Sequence, residues 1–382
     1  MRIDKIRIYH LALPFMGEFS ISRRGGIHSE IIVVEMKGET SAVRGYGEGV
    51  PIKVVTGETP ESVIRDVIRF VSEPSFPWEL EDVFRIWNFV DGFPDGKAHN
   101  AAICAMEMAL LDLMGKYQNR PVLDYFSHTH LTDVVHYGAP VTLGKKERVA
   151  MLCRGIKALG ITRIRIKMGK SLNQNQHALE TAASLLGHDC ELRIDPNGVW
   201  DRDLAFRHLP LIVKYNVNIV EEPMERDAPG FSEFVEDLIS KGITVMACES
   251  APTLRDIKKI VDENFYQMIN VKLCRSGGFR KAIRMIDHIR KSPLSFQIGC
   301  TLGESGILSA AGRALCLLSK DAVNCDGSYD RFLLKENTTM EPVSFGPMGE
   351  AGPLKGPGLG IQVNRRSLHR LTISPTITIK RP

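Results

Sequence analysis

The 382-residue sequence has eight cysteines but no Cys-x-x-Cys pair among them, which argues against a structural zinc site and against a disulfide framework. No apolar run is long enough to span a bilayer. There is neither a dense basic block nor an acidic tail. The 49 basic and 45 acidic residues are mixed along the chain, for a net charge of +4 and a pI near 8.5. That balance lacks the electrostatic footprint of a nucleic-acid binder and the composition of a disordered tail. The opening "MRIDKIRIYHLALPF" alternates like a strand and lacks the apolar core of a secretory signal. A reduced, cytoplasmic protein is expected, with neither nucleic acid nor membrane as partner.

What is present is an ordinary soluble balance, 43% hydrophobic and 25% charged, enough for a large core and two structural domains. Residues 1–128 read as α+β. "KIRIYHLAL" and "EIIVVEMKG" look like strands, "YGEGVP" like a turn, and "NAAICAMEMALLDLMGKY" like a helix. From residue 129 short β-branched runs alternate with helical segments. The strand candidates are "VVHYGAPVT", "RIRIKM", "ELRID", "VNIVEEP", "ITVMACE", "QMINVK", "SFQIGC" and "AVNCDG". Lys167, Asp195, Glu221, Cys248 and Lys272 fall 28, 26, 27 and 24 residues apart. A βα unit of that length, given eight times, closes into a parallel barrel. A doubly wound open sheet is the alternative, weakened because no glycine-rich phosphate fingerprint follows the first strand. Residues 336–382 leave this rhythm, and their tail either folds back on the N-terminal part as a strand or stays free.

Each candidate strand stops on a residue with chemistry. "RIRIK" ends on Lys167, "LRIDPN" on Asp195 and Asn197, "NIVEEP" on Glu221 and Glu222, "VMACES" on Cys248 and Glu249, and "NVK" on Lys272. Barrel enzymes build their sites at these strand ends. Carboxylates there can hold a hard divalent cation such as Mg²⁺. A lysine on either side can serve as acid and base on opposite faces of a substrate. Because side chains alternate along a strand, Arg163, Arg165 and Lys167 share one face. In a barrel, Arg165 and Lys167 would face its mouth.

The order Lys, Asp, Glu, acid, Lys on successive strands resembles the enolase superfamily, specifically its muconate-lactonizing subgroup. "GYGEGVP", "AICAMEMALLDLMGK", "RIK", "IDPNG", "VEEP", "MACES", "NVKLCRSGG", "GESGI" and "GPGLGI" carry the likeness over nearly the whole chain. The resemblance implies an α/β fold: a modified TIM barrel, (β/α)7β, over residues 129–335. It implies an α+β capping domain formed by residues 1–128 and completed by residues 336–382. It also implies Mg²⁺ stabilising an enolate made by removing the proton next to a carboxylate. "FSISRRGGIHSEIIVVEM" and "GEGVPIKVVTGETPES" are most similar to dipeptide epimerases of the L-Ala-D/L-Glu type.

Carried over residue by residue, the resemblance makes Lys167 and Lys272 the acid/base pair and Asp195 and Glu221 metal ligands. The third ligand in this family is usually the Asp of "ADES", where this chain has Cys248 in "ACES". A thiol is a poor match for Mg²⁺. Either Glu249 swings in as the ligand, or water fills the position, or the site takes Mn²⁺ or another softer ion such as Zn²⁺. Arg165 cannot lose its proton and is suited to hold a carboxylate. Arg24, beside Arg23 in the implied mobile loop, suits an acidic substrate side chain or is simply a solvated charge. Glu304 in "GESGI" polarises the substrate or caps a helix. Asp326 stands where dipeptide epimerases carry the second acid of an Asp-x-Asp for the substrate ammonium, but Asn324 replaces the first.

The function implied is a metal-dependent racemase or epimerase that abstracts the α-proton of a carboxylate substrate, a dipeptide or amino-acid derivative, through an enolate. A syn-dehydratase or cycloisomerase of the o-succinylbenzoate synthase or muconate cycloisomerase type is the alternative within the subgroup. A non-catalytic ligand-binding homologue with an impaired metal site is the alternative outside it. The expected partners are a small-molecule carboxylate and further copies of the chain in a homo-oligomer.

Overall fold

A computed structural model describes residues 1–21, 24–39, 42–187 and 189–381. The first strands, β1 (Ile3–Ile21), β2 (Arg24–Gly38) and β3 (Arg44–Gly49), form an antiparallel sheet with β2 in the middle. The segment expected as a turn, "YGEGVP", is therefore mostly strand. The reason lies in tertiary contact. Gly45, Gly47 and Gly49 alternate onto one face, and the helix Asn100–Gln118 lies directly on it. A Cβ on Gly47 would sit 1.9 Å from the carbonyl oxygen of Ala105, and one on Gly45 2.1 Å from that of Ala109. Here glycine serves close backbone approach and not a change of chain direction.

The remaining strands are β4 (Val135–His136), β5 (Ala139–Val141), β6 (Arg163–Lys167), β7 (Glu191–Asp195), β8 (Val217–Glu221), β9 (Thr244–Ala247), β10 (Met268–Lys272), β11 (Ser295–Gly299), β12 (Glu350–Ala351) and β13 (Ile377–Lys380). Strands β5 to β11 pair in sequence order, all parallel, in a curled sheet with helices along the connections from β5 onward. "VVHYGAPVT" splits, with β4 pairing to β12 and only β5 entering the barrel. "AVNCDG" does not form the expected strand. Cys325 makes isolated parallel bridges to Tyr137 and Ile298, joining the two edges of the curled sheet. Its neighbours are held by side chains instead of a ladder: Asn324 donates to Glu191, and Asp326 accepts from Arg193. The C-terminal tail folds back, with β13 antiparallel on the edge of β1.

The β1–β3 layer and its helices are fastened to the barrel by acids that cap barrel helices. Glu107 accepts from the amide of Arg280 at 2.9 Å, in the first turn of the helix Phe279–Ile289. Glu48 accepts from the amides of Ser305 at 2.8 Å and Leu308 at 3.2 Å, where the helix Gly306–Leu317 begins. Carboxylates suit these positions because helix N-termini present unpaired N–H groups and partial positive charge. This places β3 beside the carboxyl-terminal mouth of the barrel. Among the described residues, no helix is long and apolar enough to cross a membrane.

Candidate active site

The strand order puts β6 and β10 on opposite sides of β7, β8 and β9. Lys167 and Lys272, the last residues of β6 and β10, accordingly line one cavity, together with Asn197 and Glu249. Val50, Ile52 and Val55, which follow β3, add an apolar wall, and Arg165, Glu304, Tyr329 and Asp330 line it as well. Asp195 and Glu221 end β7 and β8 between the lysines and are fully buried.

Asp195 pairs with the Lys167 ammonium, which also donates to Asn197 Oδ1 at 3.0 Å. Asn197, with φ 55°, in turn donates from Nδ2 to Glu249 Oε1 at 3.0 Å. Glu221 Oε1 accepts from Asn270 at 2.7 Å, and Arg165 lies 3.8 Å from its other oxygen. Burial pushes the Asp195 carboxyl up to about 6, with the nearby charge of Glu221 adding to it. Burial works against the charge of Glu221 too, but the guanidinium of Arg165 and the ammonium groups of Lys272 and Lys167 outweigh it and hold that carboxyl low.

Cys248 and Glu249 do not follow strand alternation, because β9 ends at Ala247. Cys248 is fully buried, and its Sγ accepts from Arg275 Nη1 at 2.9 Å. Glu249 reaches the cavity. Glu222 shapes this turn. Its own backbone takes φ 44°, and its carboxylate accepts from the amides of Cys248 at 2.6 Å and Ser250 at 2.7 Å.

Asp326 is buried and meets two guanidinium groups. Arg193 Nη2 donates to Oδ1 at 2.9 Å, and Arg165 Nη1 stands 3.1 Å from Oδ2. The inward cations of β6 and β7 are thus balanced inside the barrel. Glu304 lines the cavity while accepting from the Thr301 amide at 2.8 Å and Ser309 Oγ at 3.1 Å. Arg24 opens β2, but its side chain, like the whole of Arg23, lies outside the described residues.

Arg193, Asn270 and Arg275 were not singled out from the sequence. Two of them carried a signal. Arg193 and Asn270 stand two positions before Asp195 and Lys272, so the alternation that points the strand ends inward points them inward too. Arg275 lies in the helical turn Leu273–Ser276 after β10, where no strand period applies.

The acids fit a hard cation in kind. Asp195, Glu221 and Glu249 offer carboxylate oxygens, and Glu221 Oε2 and Glu249 Oε2 are buried without a hydrogen-bond partner. As the side chains lie, no three acidic, histidine or cysteine groups among the described residues surround a single point. Asp195 is turned onto Lys167, with Oδ2 on that ammonium and Oδ1 accepting from the Asn197 amide at 2.9 Å.

Three buried acids give the protein a pH dependence of its own. Burial pushes Glu304 and Glu107 up to about 8 and Glu48 to about 7, from an ordinary 4.5. The native state then binds protons more tightly than the unfolded chain. The stability this brings is complete below pH 4.5 and is lost as pH rises through 7 to 8. Melting temperature is expected to fall between about pH 5 and about pH 8, and less steeply in Glu304→Gln. Equal slopes in thermal melts of the two proteins would remove Glu304 from this account.

The family model described as enolase C-terminal domain-like matches residues 148–367. The chain is 25% identical over 386 residues to N-succinyl-L-Arg/Lys racemase of Bacillus cereus, covering 98% of each chain. It is 26% identical over 375 residues to the hydrophobic dipeptide epimerase of Enterococcus faecalis, covering 94% of this chain and 99% of that one. The crystal structure of the dipeptide epimerase from Cytophaga hutchinsonii, complexed with Mg and D-Ala-L-Val, superposes with a TM-score of 0.84. That alignment covers 100% of both chains at 21% identity.

Proposed function

The chain belongs to the enolase C-terminal domain-like family, and on that premise we propose that it is a metal-dependent racemase or epimerase acting at the carbon next to a substrate carboxylate. The observation that carries this reading is the pair Lys167 and Lys272 on one cavity, at the ends of strands on opposite sides of three acids. One lysine, as the free amine, takes the α-proton from one face. The other, as the ammonium, delivers a proton to the opposite face, so the carbon is inverted and no atom is lost. Asp195, Glu221 and Glu249 would hold Mg²⁺. When bound, that ion supplies the positive charge that stabilises the oxyanion developing on the substrate carboxylate. Mn²⁺ presents a similar charge to the same oxygens and is a second candidate. Arg165 is committed to Asp326 and Glu221, so its part is to balance buried charge at the floor of the site.

The state of Asp326 favours one substrate class. Both of its oxygens already meet guanidinium groups, so a substrate ammonium brought to it would compete with a buried ion pair. An N-acylated amino acid, whose nitrogen is a neutral amide, avoids that competition; a free dipeptide does not. With Mg²⁺ in D₂O, N-succinyl amino acids are expected to exchange their α-proton at least about tenfold faster than dipeptides. NMR of both substrate sets checks it. Faster exchange of dipeptides would overturn the substrate choice, and exchange of neither would overturn the racemase reading.

A further inference from the structure

Behind Lys167 lies a buried polar assembly with no part in the chemistry described so far. Gly169, two residues beyond Lys167, has both backbone groups held by one side chain. Its N–H donates to Asn175 Oδ1 at 2.9 Å, and its carbonyl accepts from Asn175 Nδ2 at 2.8 Å. The same carbonyl accepts from Trp200 Nε1 at 3.0 Å. Asn175 Nδ2 also meets His208 Nε2 at 2.9 Å, and Trp200 stacks on the His208 ring with centroids 4.0 Å apart.

The protonation pattern is forced by the partners. His208 Nδ1 lies 2.7 Å from the carbonyl oxygen of Leu204, which can only accept, so Nδ1 carries the hydrogen and Nε2 accepts. An accepting Nε2 fixes which end of the Asn175 amide faces it. A flipped amide would set its oxygen against both the imidazole lone pair and the Gly169 carbonyl. Burial lowers the pKa of His208 and keeps the ring neutral, as this pattern needs. Asn175 and His208 are 1% and 0% exposed, so water does not compete for these bonds.

We propose that Asn175, His208 and Trp200 act as a brace that positions Lys167 for proton transfer, through the backbone of Gly169. They are positioning residues and touch no substrate. The inference rests on the two-lysine reading of the site. It has a consequence that a general packing role lacks, because the brace bears on only one of the two bases. Asn175 lies on the helix Leu172–Leu186 between β6 and β7, and Trp200 and His208 follow β7. Lys272 ends β10, three strands from β7.

The test compares α-proton exchange in D₂O for each enantiomer separately, with Lys167→Ala identifying the enantiomer that Lys167 serves. Trp200→Phe keeps an aromatic ring beside His208 but loses the indole N–H together with the pyrrole part of the ring, while Asn175→Asp removes the donor to the Gly169 carbonyl. Both are expected to slow exchange on the Lys167 face about tenfold and to leave the Lys272 face within about twofold, because small misplacements of a base are costly. His208→Gln, which can still accept from Asn175, should retain more of that face than His208→Leu. A second readout needs no turnover: the NMR shift of ¹³C-methylated Lys167 should move in the variants while that of Lys272 does not. Equal slowing on both faces, or an unmoved Lys167 resonance in the variants, would overturn the brace. If the wild type exchanges neither enantiomer, the racemase reading fails, and the Lys167 resonance alone still decides the brace.

Discussion

Lys167→Ala abolishes α-proton exchange of one enantiomer, and Lys272→Ala abolishes exchange of the other; this is the expected result from two lysines on opposite sides of one cavity. In the two-lysine reading each face of the carbon is served by one nitrogen, so neither lysine stands in for the other. A positioned acid or base contributes about 10² to 10⁴ in rate, and racemisation should fall by that much in each variant. The half that remains is the informative part. In Lys167→Ala the enantiomer served by Lys272 still loses its proton to solvent, and without the opposite ammonium it is reprotonated on the face it came from. Exchange without inversion is therefore the signature, read by following deuterium and configuration in the same sample. Full inversion in either variant would end the two-base mechanism. Loss of exchange on both faces in each variant would point instead to a single base, with the other lysine holding charge.

Glu249→Gln weakens Mg²⁺ binding by about tenfold or more, whereas Cys248→Asp changes it by less than about threefold, since hard cations respond to the number of anionic oxygens they are given. The geometry assigns the two outcomes. Glu249 reaches the cavity with one oxygen unpartnered, while Cys248 is fully buried with its sulfur on Arg275. A carboxylate at position 248 would meet that guanidinium first and form a charge-assisted pair there. Calorimetric titration of the two variants against wild type decides it. Tighter binding in Cys248→Asp, with none lost in Glu249→Gln, would return the third ligand to position 248. No change in either would remove this strand end from the metal site.

Much of the site was legible because strand alternation is a local property. Lys167, Asp195, Glu221 and Lys272 are the last residues of their strands, and the repeat of about one βα unit between them needs no knowledge of contacts. The glycines of β3 were misread for the opposite reason. "YGEGVP" carries turn residues, and only the helix packed so closely on Gly47 that a Cβ there would lie 1.9 Å from the Ala105 carbonyl oxygen makes it a strand.

Strand period and order, legible in short segments, favour a parallel barrel over an open sheet and turn the lysines and acids inward. The residues of the tail leave its course open, and only the pairing of β13 with β1 returns it to the N-terminal strands. Tertiary structure alone decided which of Cys248 and Glu249 faces the cavity, because the answer depends on β9 ending at Ala247 and on Glu222 gripping the next turn. It alone engaged Asp326 with Arg193, 133 residues away in the chain, and turned a candidate substrate contact into an internal ion pair. Charges inside a barrel are settled by whichever opposite charge lies nearest, and nearness across a closed sheet is set by the closure and not by any stretch of sequence.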